Sequence, residues 1–229
     1  MLSTLLPLLL GCTQEEEVAY GPLSDCDPVA PTQCGLPFPS TFYMAEDATS
    51  ETGWRVNLGP TTLPINANDI QPDPWLWNER DGWAVFGPIM AHFEGMSLTG
   101  VAGHDDMGSS VLDESPILVI NAETGERVAH FAELDMSQDE DDQRMLMIYP
   151  ATALEYGTRY IVAIRNLVDE AGAPVAPSEA FAALRDGTET TDGDVEQRRD
   201  YLEDAVFGPL DGFGVARDEL QLALSLIHI

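Results

Sequence analysis

The residue pattern predicts a mainly β chain: a β-sandwich followed by a few short C-terminal helices. Three observations predict it. From residue 35 onward, short apolar runs recur between Gly, Pro, Asn and Asp, the punctuation of strands joined by turns. The longest runs are uninterrupted and rich in branched side chains, which suit a buried pleated surface. Helix-type spacing with capping residues begins only after residue 178. Strands first and helices afterwards are the order of a sandwich that leads into something else.

The elements follow in order. LVI at 118–120 and RVAHF at 127–131 flank NAETGE, and two apolar runs around a Gly-bearing turn predict a hairpin. MLMIY at 145–149 and YIVAI at 160–164 predict two further buried strands. The segment at 169–172 turns the chain toward Val175. Ser178 is placed to cap a short helix that closes at Asp186 and Gly187. Asp194 is placed to cap a longer one, with Tyr201, Leu202, Ala205 and Val206 on one face. A third helix is expected from Val215 to Leu224.

The 229 residues are 44% hydrophobic, enough for a sizeable core, but 40 acidic residues against 10 basic ones give a net charge of −30. All ten basic residues are Arg. That charge repels phosphate and excludes nucleic acid as a partner. It equally opposes attraction to anionic lipid headgroups. No run reaches the roughly 18 apolar residues needed to span a bilayer.

The first eleven residues form a short Leu-rich run ending in small residues, the pattern of a secretory signal peptide. LLGC at 9–12 resembles the lipobox of bacterial lipoproteins, in which the Cys is acylated and becomes the new N-terminus. That resemblance makes Cys12 the lipidation site and the membrane a partner through three acyl chains, more than the two that anchor stably. Thr13 stands where an inner-membrane retention Asp would, so outer membrane or cell surface is implied. With Cys12 acylated, Cys26 and Cys34 remain as an even pair in an exported chain, and a local disulfide is the natural reading. A zinc site competes, but it has two cysteines and no His nearby.

Catalytic candidates are few. An esterase nucleophile needs Gly-x-Ser-x-Gly on a strand-to-helix elbow. Around Ser97 the spacing is Gly95 to Gly100, one position too long, and no helix pattern follows, so a turn is expected. His92, His104 and His130 lack the spacing of a general base or a zinc pair. Asp105 and Asp106 beside His104 read as an exposed loop. The DEDD run at 139–142 lacks the Gly and Glu of a calcium loop and reads as a solvated turn. TDGD at 191–194 reads as a helix-entry loop. No catalytic residue, metal site or cofactor motif is therefore assigned. Trp54, Trp75, Trp77 and Trp83 cluster within thirty residues. Such rings can stack on sugars as a ligand platform, although beside Pro and Gly they more often pack over a sheet edge.

Eight segments carry a wider resemblance: LPFPS at 36–40, TGWRVN at 52–57, PWLWN at 74–78 with DG at 81–82, NAETGER at 121–127, HFAELD at 130–135, GTRYIV at 157–162, PSEAF at 177–181 and LRDG at 184–187. They resemble a family of exported bacterial proteins whose β-rich N-terminal region precedes an α/β-hydrolase-type domain. Virulence-factor-type extracellular lipases are its nearest named members. The resemblance implies an Ig-like β-sandwich with no catalytic residues of its own, and a hydrolase domain downstream in cis as its partner. In that family the chain continues beyond a segment like ELQLA at 219–223, so truncation near Leu224 is expected, and SLIHI at 225–229 resembles sequencing-adapter read-through.

The expected division is a signal peptide at 1–11, Cys12 with an acidic tether to 33, a β-rich segment at 34–110, the Ig-like sandwich at 111–187, the helical start of a following domain at 188–224, and the artefactual 225–229. The expected function is the non-catalytic N-terminal region of a lipid-anchored acyl-ester hydrolase. The alternative is a surface lipoprotein whose β domain binds polysaccharide or protein through the Trp cluster. Substrate and oligomeric state are left open.

Overall fold

The computed structural model describes residues 20–140 and 143–227. The Leu-rich run, Cys12, the last two residues of the DEDD run and His228 lie outside the described residues. Within them the chain is mainly β, with eight strands in three antiparallel sheets and only short helices.

Strands β1 (Met44–Glu46) and β2 (Trp54–Val56) form a small hairpin. Helix α1 (Trp75–Asn78) lies between it and β3 (Ile89–Ala91). Strands β4 (Ile117–Asn121), β5 (His130–Leu134), β6 (Leu146–Pro150) and β7 (Arg159–Arg165) follow. One three-stranded sheet has the order β3-β6-β5. The other is β4-β7-β8, where β8 is Leu220–Ile227.

The runs predicted as strands at 145–149 and 160–164 become the central strands β6 and β7. In β7, Val162 faces Val119 on one side and Leu224 on the other. In β6, Ile148 faces Ile89 and Ala132. Residues of both sheets belong to one buried cluster. Each fully buried Val, Leu or Ile in it contributes about 1.5–3 kcal/mol.

Three local expectations change. The predicted hairpin at 118–131 forms its turn, with Gly125 at φ +74° and Asn121 Oδ1 accepting from Glu123 and Thr124. It pairs only briefly, Ile120 with Arg127, before the chain crosses to the other sheet, where β5 pairs with β6 and not with β4. The helix expected from Val215 to Leu224 is instead β8. Leu220, Leu222, Leu224 and Leu226 alternate with small or polar residues, a period of two that suits a strand and not a helix. The longer helix after 194 is broken into α3 (Gly193–Glu196), α4 (Arg199–Leu202), a π turn at Glu203–Phe207 and α5 (Gly208–Gly212). Its cap is Asp192, whose side chain accepts from Asp194 and Val195.

Helix α2 (Glu179–Asp186) forms as predicted. Ser178 accepts from the Phe181 N–H, and Gly187 closes it at φ +69°. Among the described residues no helix is long and apolar enough to cross a membrane.

Candidate functional site

The most constructed polar site joins the start of the described chain to the helices near its end. From Tyr20 onward, the stretch read as tether packs on the protein. Cys26 and Cys34 form a disulfide with an S–S distance of 2.06 Å, and their loop holds Asp27. Arg198 Nη2 and Nη1 donate to Asp27 Oδ1 and Oδ2 at 2.7 and 3.0 Å. Both side chains are buried, and the guanidinium lies 5.1 Å from the Phe42 ring centroid. Burial works against the Arg198 charge, but the Asp27 carboxylate outweighs it and the net shift is upward.

The neighbours reinforce this clasp. Asp194, released from a capping role, accepts from the Leu23 N–H at 2.7 Å and the Ser24 hydroxyl at 2.6 Å. Gln197 donates to the Gly21 carbonyl at 3.1 Å. Tyr20 stacks on Tyr201, with ring centroids 6.4 Å apart, and sits edge-on to Trp54. The Tyr43 hydroxyl accepts from the Asp27 and Gly35 N–H groups and donates to the Leu36 carbonyl. Burial raises the pKa of both the Tyr20 and Tyr43 hydroxyls. Among the described residues these groups pair with one another, apart from the buried Arg198 Nε, which has no hydrogen-bond partner, and the arrangement fastens two distant segments.

Sequence reasoning singled out the two cysteines and missed Asp27 and Arg198. The available signals were an acid inside a short disulfide loop and an Arg pair in a chain where basic residues are scarce.

The other candidates fall in separate places. Ser97 sits in a turn bounded by Gly95 and Gly100, both at positive φ; its N–H donates to the Val168 carbonyl and its hydroxyl to Thr99 Oγ1. His104 is exposed and 3.0 Å from Asp105. His130 is buried in β5; Nδ1 lies 3.0 Å from the Val128 carbonyl, while Nε2 has no partner among the described residues. Burial lowers its pKa. Among the described residues no group of three or more metal-ligating side chains gathers.

The four tryptophans divide. Trp83 is buried edge-on to Phe38, at 4.9 Å between ring centroids. Trp54 is half-buried between Tyr20 and Tyr201. Trp75 and Trp77 keep 57% and 45% of their surface exposed on α1.

A family model described as bacterial virulence factor lipase N-terminal matches residues 35–198, well over half the chain. The match starts one residue after Cys34 and ends on Arg198. No curated protein matches the chain.

Proposed function

Because the chain belongs to the bacterial virulence factor lipase N-terminal family, we propose that it is the non-catalytic N-terminal region of an exported acyl-ester hydrolase. It is anchored in the outer membrane or at the cell surface through acylated Cys12, and it positions a catalytic domain that follows in cis. The family match carries this reading. The disulfide supports export, since such bonds persist in oxidising compartments. The clasp supports positioning: a tether from Cys12 would reach the protein at Tyr20, beside α3 and α4, and so would be fixed to the folded region ahead of β8, the last described strand.

Two experiments test it. Growth with a labelled fatty acid should label the chain, and Cys12→Ala should abolish the label; label surviving that change would refute the anchor. The reading frame downstream of Leu224 should encode a Gly-x-Ser-x-Gly between a strand and a helix. A stop codon or another β segment there would refute the positioning role.

A further inference from the structure

Among the described residues, nine of the ten arginines direct side-chain hydrogen bonds to a carboxylate or a carbonyl. Arg80 is the exception: its side chain is exposed and has neither an ion pair nor a hydrogen bond among the described residues. In a chain with 40 acidic residues, a guanidinium left unpaired is notable.

Arg80 stands on the wall of a groove of about 430 Å³, within the range of small-molecule sites. The rest of the lining is apolar side chains and glycine, Phe38, Trp77, Trp83, Pro88 and Met90 among them. The backbone around the cation is held in place. The Val56 N–H donates to the Arg80 carbonyl at 2.8 Å, and the Arg80 N–H donates to the Trp77 carbonyl at 2.9 Å. Asn78 ties α1 to both backbone groups of Leu58. A Cβ added at Gly87 would meet no atom within 4 Å, so that wall is open.

We propose that this groove binds a fatty acid, with the acyl chain along the Trp77 and Trp83 walls and the carboxylate on Arg80. The apolar walls match a hydrocarbon chain, and a cation unpaired among the described residues matches one anionic head. Glu79 and Asp81 flank Arg80 in the chain, which favours a singly charged carboxylate over a doubly charged phosphate. The net charge of −30 opposes docking on an anionic membrane, so the free amphiphile is the occupant. The groove residues carry this inference. The hydrolase reading adds only a source, because hydrolysis of an acyl ester releases a fatty acid and an alcohol.

The test is calorimetric titration of the purified chain at pH 8 with sodium dodecanoate, kept below the concentration at which it self-associates. One saturable site is expected. Arg80→Ala should weaken it roughly tenfold or more, the scale of a charge-assisted hydrogen bond. That change removes an exposed side chain that has no partner among the described residues, so the fold should persist. Dodecanol should bind more weakly than dodecanoate and be indifferent to Arg80→Ala, while Trp77→Ala should weaken both. Absence of saturable binding, or equal affinity in Arg80→Ala, overturns the proposal. So does capture by phosphatidylglycerol vesicles without binding of dodecanoate, which would make the ligand a membrane headgroup. No ester is hydrolysed in this assay, so its failure leaves the hydrolase reading standing, and failure of that reading leaves the binding result intact.

Discussion

Arg198 holds Asp27 across 171 positions of chain, through two hydrogen bonds between side chains that keep only 7% and 1% of their surface in water. Removing one partner would strand a charge in the interior, at a cost of about 3–5 kcal/mol. Asp27→Ala and Arg198→Met should each lower the stability measured by urea unfolding by an amount of that order. The double variant Asp27→Leu/Arg198→Met should recover most of the loss, because no charge remains buried. A double variant as unstable as the singles would show that the clasp is held by the surrounding bonds instead.

The sequence made the central strands legible because their burial on both faces leaves a plain apolar run. YIVAI could hardly be anything but an inner strand, and β7 follows it. Ser178 and Gly187 announced α2 at both ends by capping chemistry. The clasp was illegible for a physical reason: a long-range ion pair has no local period, and nothing near Arg198 says that its partner lies in a disulfide loop far upstream. The alternation of Leu220, Leu222, Leu224 and Leu226 was present and outweighed by the helical segments before it. The tryptophans shared one stretch of sequence, but burial of Trp83 depends on Phe38 and the β3 edge, which no local pattern encodes.

The disulfide between Cys26 and Cys34 closes a short loop, so its loss should cost about 2–3 kcal/mol. Intact mass after alkylation without reductant should show both thiols unmodified. Two alkylated cysteines in oxidatively folded protein would contradict the pairing. The Cys26→Ser/Cys34→Ser variant should remain folded at room temperature with a lower melting temperature, since the loop pins one edge of the fold.

Buried His130 sets a pH window. Burial holds its pKa below the ordinary value near 6.5, so the unfolded chain takes the proton first. Stability should therefore fall as pH drops through 6.5, and the loss should continue until the folded protein is protonated as well. Asp47 and Glu196, held down to about 2 by bonds to Thr49 and Arg55 and to Arg199 and Thr190, lose their contribution only below the ordinary values of 3.8 and 4.5. Between pH 7 and 5 the decline thus belongs to His130, and His130→Gln should flatten it in thermal melts. An unchanged slope in that variant would assign the decline to other groups.

The net charge of −30 predicts a melting temperature that rises with sodium chloride. Screening acts over about 10 Å at 0.1 M and about 3 Å at 1 M, so repulsion among the carboxylates is progressively relieved. The buried Asp27–Arg198 pair is shielded from the salt and does not offset the gain. A melting temperature that stays flat or falls over the first few hundred millimolar would mean that the acidic residues are already spaced well enough.

The central claim is that this region serves a hydrolase without performing the hydrolysis. The most direct measurement is turnover of short- and long-chain p-nitrophenyl esters by three proteins: this chain, its Ser97→Ala variant, and the product of the gene extended downstream of Leu224. No turnover by the first above the second is expected. Turnover by the third is expected, and it should disappear when the Ser of the downstream elbow is replaced. Ester hydrolysis by this chain that Ser97→Ala removes would contradict the non-catalytic role outright.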